Sequence, residues 1–108
     1  MSVGTIMGNT LALGVAEITL TPASVAAATT AEQTFRLPGI RLRDAIAGVS
    51  RTGTPQAGLG IVNARVVSDD TIGVTFANTT AGALTPTAGE IYKVTWLRPD
   101  AVQTGTSV

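Results

Sequence analysis

Thr71-Ile72-Gly73-Val74-Thr75-Phe76-Ala77 carries the clearest pattern in the chain. Ile72, Val74 and Phe76 fall on one side of an extended backbone and Gly73, Thr75 and Ala77 on the other, the period of a half-buried strand. Just upstream, Val62, Ala64 and Val66 alternate in the same way with Asn63, Arg65 and Val67. Ser68-Asp69-Asp70, turn-forming residues over a hairpin-length gap, separates the two runs. Ile61–Ala77 therefore reads as a β-hairpin.

Weaker alternations flank it. Tyr92, Val94 and Trp96 alternate with Lys93, Thr95 and Leu97, and Pro99 then removes a ladder donor. Ala16, Ile18 and Leu20 alternate with Glu17 and Thr19 before Pro22, Phe35 and Leu37 form a short pair before Pro38-Gly39, and Ala45–Ser50 is a small-residue strand. Ala26–Ala28 admits one helical turn as an alternative, although no apolar stripe at helical spacing supports it. Six to eight short strands without crossover helices predict an all-β fold, an antiparallel β-sandwich of jelly-roll or Greek-key kind. The expected organisation is an N-terminal arm over residues 1–10, a β-sandwich domain over 11–98 and a C-terminal tail over 99–108, with both termini extended.

Composition narrows the chemistry. Seven basic residues balance seven acidic ones, which gives no long-range attraction for nucleic acid or an anionic membrane surface. Charged residues make up 13% of the 108, about half the ~25% of an ordinary soluble domain, so the surface is small-residue and neutral and suits packing against protein. The chain has no cysteine and no histidine, and so lacks a thiol nucleophile, thiolate metal ligands and the commonest general base. No enzyme activity, cofactor, metal or small-molecule substrate is expected. Leu11–Leu20 has no basic residue before it and contains Glu17, so it reads as mature chain rather than a secretion signal. No apolar run reaches the ~20 residues of a membrane helix.

The remaining candidates have plain structural readings. Asp69-Asp70 is the only adjacent carboxylate pair, but turn neighbours diverge where acid–base catalysis needs convergence. Gly58-Leu59-Gly60 echoes a dinucleotide loop, yet Asn63 replaces its third glycine and a strand follows in place of a helix. Asn78-Thr79-Thr80 matches a glycosylation sequon that a chain without a secretion signal does not use. Tyr92 and Trp96 sit beside Val94 on the apolar side of their strand, which favours core packing over a stacking platform.

Contacts with a partner are expected instead from segments outside the strand pattern. These are the apolar, glycine-punctuated arm Met1–Thr10 with Val3, Ile6 and Met7, the Gly/Pro-rich loop Thr52–Gly60 beside Arg51, and the polar loop Asn78–Gly89 with Asn78, Thr79 and Thr80. Arg41 and Arg43, on one side of an extended segment, could bridge to acidic groups of another subunit. A domain this small often gains stability by association, so a homo-oligomer, dimer or trimer, is expected.

Several phrases point further: Thr21-Pro22-Ala23-Ser24-Val25, Thr34-Phe35-Arg36-Leu37-Pro38-Gly39-Ile40, Gln56–Val66, Ile72–Thr80 and Thr85-Pro86-Thr87-Ala88-Gly89-Glu90. Spanning Thr21 to Val94, they resemble small β-rich virion proteins of tailed bacteriophages, in particular head decoration or cement proteins. The resemblance implies a protein on the capsid exterior, made in the bacterial cytoplasm, which stabilises the shell by bridging major capsid protein subunits. It transfers no site residues. An alternative expectation is a receptor- or glycan-binding module of a phage head or tail fibre, which would use Asn78–Gly89 with a nearby exposed aromatic.

Overall fold

The computed structural model describes residues 8–101. Among the described residues the fold is all-β, six strands in two antiparallel three-stranded sheets. The strands are β1 (Thr10–Leu20), β2 (Thr29–Arg36), β3 (Ala45–Arg51), β4 (Leu59–Ser68), β5 (Thr71–Asn78) and β6 (Glu90–Pro99). One sheet has the order β1-β6-β3 and the other β2-β5-β4. Only β4 and β5 are joined within a sheet, and every other connection passes from one sheet to the other.

The hairpin lies where the alternation places it. Ile72, Val74 and Phe76 are fully buried, and Asp70 takes the left-handed turn conformation at φ 63° that its short polar side chain tolerates. With Val25, Leu37, Ile40 and Val94 these residues form the core cluster. Ala16, Ile18, Val49 and Trp96 of the first sheet and Ala31, Phe35, Ile61 and Val66 of the second pack against it, so a single cluster draws on both sheets.

In β4 the expected phase is corrected. A bulge between Ile61 and Asn63 puts two residues opposite one of β5, so Ile61 turns inward and Val62 is left 61% exposed. β1 begins at Thr10 rather than near Ala16, which brings the last residue of the expected arm into the first strand. No helical turn forms at Ala26–Ala28, where Ala28 takes φ 52° and leads into β2. Arg41 and Arg43 do not lie in an extended segment: Asp44 N–H donates to Arg41 C=O at 2.9 Å, which closes a tight turn.

The connections gather at two ends. At one, residues 37–44, the Asp69-Asp70 turn, Asn9 and the end of β6 are laced together: Leu37 N–H donates to Asp70 C=O, Asp70 N–H to Ile40 C=O, and Asp100 N–H to Asn9 C=O. At the other, residues 21–28, 52–58 and 79–89 meet, with an antiparallel bridge between Val25 and Leu84. Trp96 lies over Gly14, its cross-strand partner, and the Arg98 guanidinium stands 5.2 Å from the indole centroid.

Candidate docking surface

The two sheets turn opposite kinds of outer surface to solvent. On the β2-β5-β4 sheet, Arg65 Nε and Nη2 each donate to a Glu32 carboxylate oxygen at 2.8 Å. The pair crosses above Gly73, where a Cβ would stand 2.7 Å from Glu32 Oε2, so a charged clamp covers the absent side chain. This fork holds the Glu32 carboxyl below its usual range.

The outer surface of β1-β6-β3 carries no such clamp over its apolar part. Period two along β1 sends Ala12, Gly14, Ala16 and Ile18 toward the core and Leu11, Leu13 and Val15 outward, 64%, 66% and 61% exposed. Leu13 pairs with Leu97 and Val15 with Thr95, while Ala45 of β3 pairs with Leu97 from the other side. Ile91, also exposed, lies farther along β6. The charges on this surface of the two strands, Glu17 and Lys93, are cross-strand partners 3.9 Å apart and offset one another. These exposed apolar side chains lie together on one side of one strand rather than scattered over the surface.

The expected contact residues distribute differently. Val3, Ile6 and Met7 lie outside the described residues. Arg41 is exposed and 3.9 Å from Asp69, Arg43 is exposed in the same turn, and Leu42 stands out between them. Asp69 and Asp70 diverge as turn residues do: Asp69 Oδ1 accepts from Leu42 N–H and Asp70 Oδ1 from Gly39 N–H. The strongest pair at this end escaped the sequence reading. Arg98 Nε and Nη2 donate to the two oxygens of the buried Asp44 carboxylate at 2.9 and 2.8 Å, and Nη2 also donates to Gly39 C=O.

Asn78, one of the expected contact residues, is an internal staple in the fold. It is 2% exposed; its Nδ2 donates to Val25 C=O and Gly82 C=O, and its Oδ1 accepts from the Thr80 N–H and hydroxyl. Thr80 is thereby tied back to Asn78, while Thr79 remains exposed with its N–H donated to Gly58 C=O. The loop after β5 is thus built into the fold. Arg51 is also engaged: its Nη1 donates to Gln56 Oε1 and its Nη2 to Glu90 Oε1 at 3.3 Å, while Nε has no partner among the described residues. It edges a cleft of about 270 Å³ whose other lining includes Val49, Leu59, Phe76 and Tyr92. Tyr92 is buried, which pushes its hydroxyl pKa up, and Trp96 packs against the core.

Among the described residues no three carboxylates stand together to hold a metal ion. The folded chain is therefore an all-β protein whose most distinctive outer feature is one neutral, apolar sheet surface. Comparison with protein-family models, curated proteins and solved structures returns no match.

Proposed function

We propose that this chain is a structural binding protein of a tailed-phage virion, which docks on the capsid exterior and bridges major capsid protein subunits through the outer surface of β1-β6-β3. One observation carries the reading: Leu11, Leu13 and Val15, each more than three-fifths exposed, line one side of one strand. Burying such a side chain contributes about 1.5–3 kcal/mol, and repetition across a lattice multiplies weak contacts into firm attachment. The phage setting rests on the resemblance of Thr21 to Val94. In this reading the sheets are a sandwich of jelly-roll or Greek-key kind with arms at both ends. Connections that change sheets and a core cluster fed by both support it.

The test is co-sedimentation with expanded capsids that lack the protein. Saturable binding at a fixed ratio to capsid subunits is expected, and Leu13→Glu should abolish it while the thermal melt is unchanged. Full binding by the variant overturns the docking surface; no binding by the unaltered chain overturns the capsid setting.

A further inference from the structure

We infer that the free edge of β1 is a self-association site, where a second copy of this chain adds its own β1 antiparallel and joins two β1-β6-β3 sheets into one. The inference concerns the edge of the sheet together with the outward side chains that border it, and does not rest on the capsid setting.

Among the described residues β1 hydrogen-bonds to β6 alone, which leaves one of its sides with unpaired N–H and C=O groups. Natural edges of this kind are guarded by lysine, proline, bulges or short length. Over its 11 residues β1 has no proline and no basic residue, Glu17 is its one charge, and its irregularity is confined to Thr10–Ala12. The other three edges are better protected. β2 turns Glu32 and Arg36 to solvent, β3 is bulged between Ile46 and Gly48, and β4 is bulged twice with Arg65 exposed.

Three features select a second copy as the occupant. Seven positive and seven negative charges leave no net repulsion between copies. The Glu17–Lys93 pair is internally balanced and offers a charged strand nothing to pair with. The outward leucines are also self-complementary under a two-fold axis. Both copies keep their cores on the same side only if outward residues face outward residues, because a one-residue slip reverses every side chain. A two-fold at Leu13 sets Leu13 against Leu13 and Leu11 against Val15 on both flanks, and moves Glu17 opposite Asn9. Axes at Gly14 or Val15 would instead set Glu17 against Leu11 or Leu13. Such a strand pair with its side chains buries on the order of 1,000 Å², the floor for a specific contact, so the dimer is reversible.

The chain has no cysteine, so single-cysteine variants report the register directly. Leu13→Cys and Thr19→Cys both change exposed outward residues of β1, but only the first lies on the axis. Under mild oxidation without capsids, Leu13→Cys should yield about tenfold more disulfide dimer than Thr19→Cys, since a bridge needs Cα atoms within about 7 Å. Light scattering should show a concentration-dependent dimer that Leu13→Lys, placing like charges face to face, converts to monomer. A monomer at every concentration, equal cross-linking at the two positions, or a dimer that survives Leu13→Lys would each overturn the proposal. Leu13 serves both surfaces, so the two readings are separated by Leu97→Glu, on the central strand and off the edge: it should lose capsid binding yet still dimerise.

Discussion

Gly14 lies directly beneath the indole of Trp96, so close that a Cβ at position 14 would stand 2.7 Å from Trp96 Cζ2. The missing side chain lets the ring lie flat across β1, with Arg98 beside it. Gly14→Ala must move the ring, at a cost of about 1–3 kcal/mol for overpacking. Trp96 is the chain's single tryptophan, so its fluorescence should shift toward that of an exposed indole as the urea midpoint falls. An unchanged midpoint would refute the close approach.

Asn78 bonds through both ends of its amide, and replacing it by aspartate reverses half of that. Asn78→Asp puts an acceptor where Nδ2 donates to Val25 C=O and Gly82 C=O, both already acceptors. Both carbonyls keep other donors, Leu84 N–H and the Thr80 hydroxyl, so the expected cost is that of a buried carboxylate oxygen set against two carbonyl oxygens, about 3 kcal/mol. Chemical denaturation measures the loss, and hydrogen exchange should show it concentrated at Val25 and Leu84.

The bulge in β4 sets two neighbouring β-branched residues apart. Val62→Thr, on the exposed side, should change stability by no more than about 0.5 kcal/mol. Ile61→Ala, on the inward side that packs against the core cluster, should cost about 2 kcal/mol or more. Equal costs in the two melts would mean that Val62 is packed and the bulge misplaced.

Asp44 links stability to pH. Hydrogen bonds from Arg98 hold its carboxyl below the ordinary value, against a burial effect that pushes it up. A group whose pKa is depressed by folding stabilises the fold above its unfolded value, about 3.9, and that contribution is lost as pH falls through the lower folded value. Asp44→Asn should therefore be less stable than the parent at neutral pH, and the gap should narrow in acid. Urea titrations of both proteins from neutral pH downward test this; a gap that stays constant would count against the linkage.

How much of this was legible depended on contrast between the two sides of each strand. β5 and β6 were readable because large apolar residues alternate with small or polar ones. The first half of β1 was not: Leu11, Leu13 and Val15 are apolar on the solvent side while Ala12, Gly14 and Ala16 are small on the core side, so the usual meaning of the alternation is inverted. A side chain that docks elsewhere carries the same local mark as one that packs at home. The bulge at Val62 was hidden because Ile61 and Val62 are chemically near-equivalent and only the pairing with β5 separates them. The Asn78 staple and the Asp44–Arg98 fork join residues as far as 53 and 54 positions apart, which no local pattern encodes.

The position of β6 bears on how the chain comes off the ribosome. Among the described residues it is the last strand in sequence yet the central strand of its sheet, and both β1 and β3 pair with it. A nascent chain that has not yet emerged as far as Glu90 can close the β4–β5 hairpin and add β2, but β1 and β3 have no ladder to join. Until β6 has emerged, the apolar strand Thr10–Leu20 waits with both edges open, and a chain truncated before β6 would leave that strand exposed to aggregation.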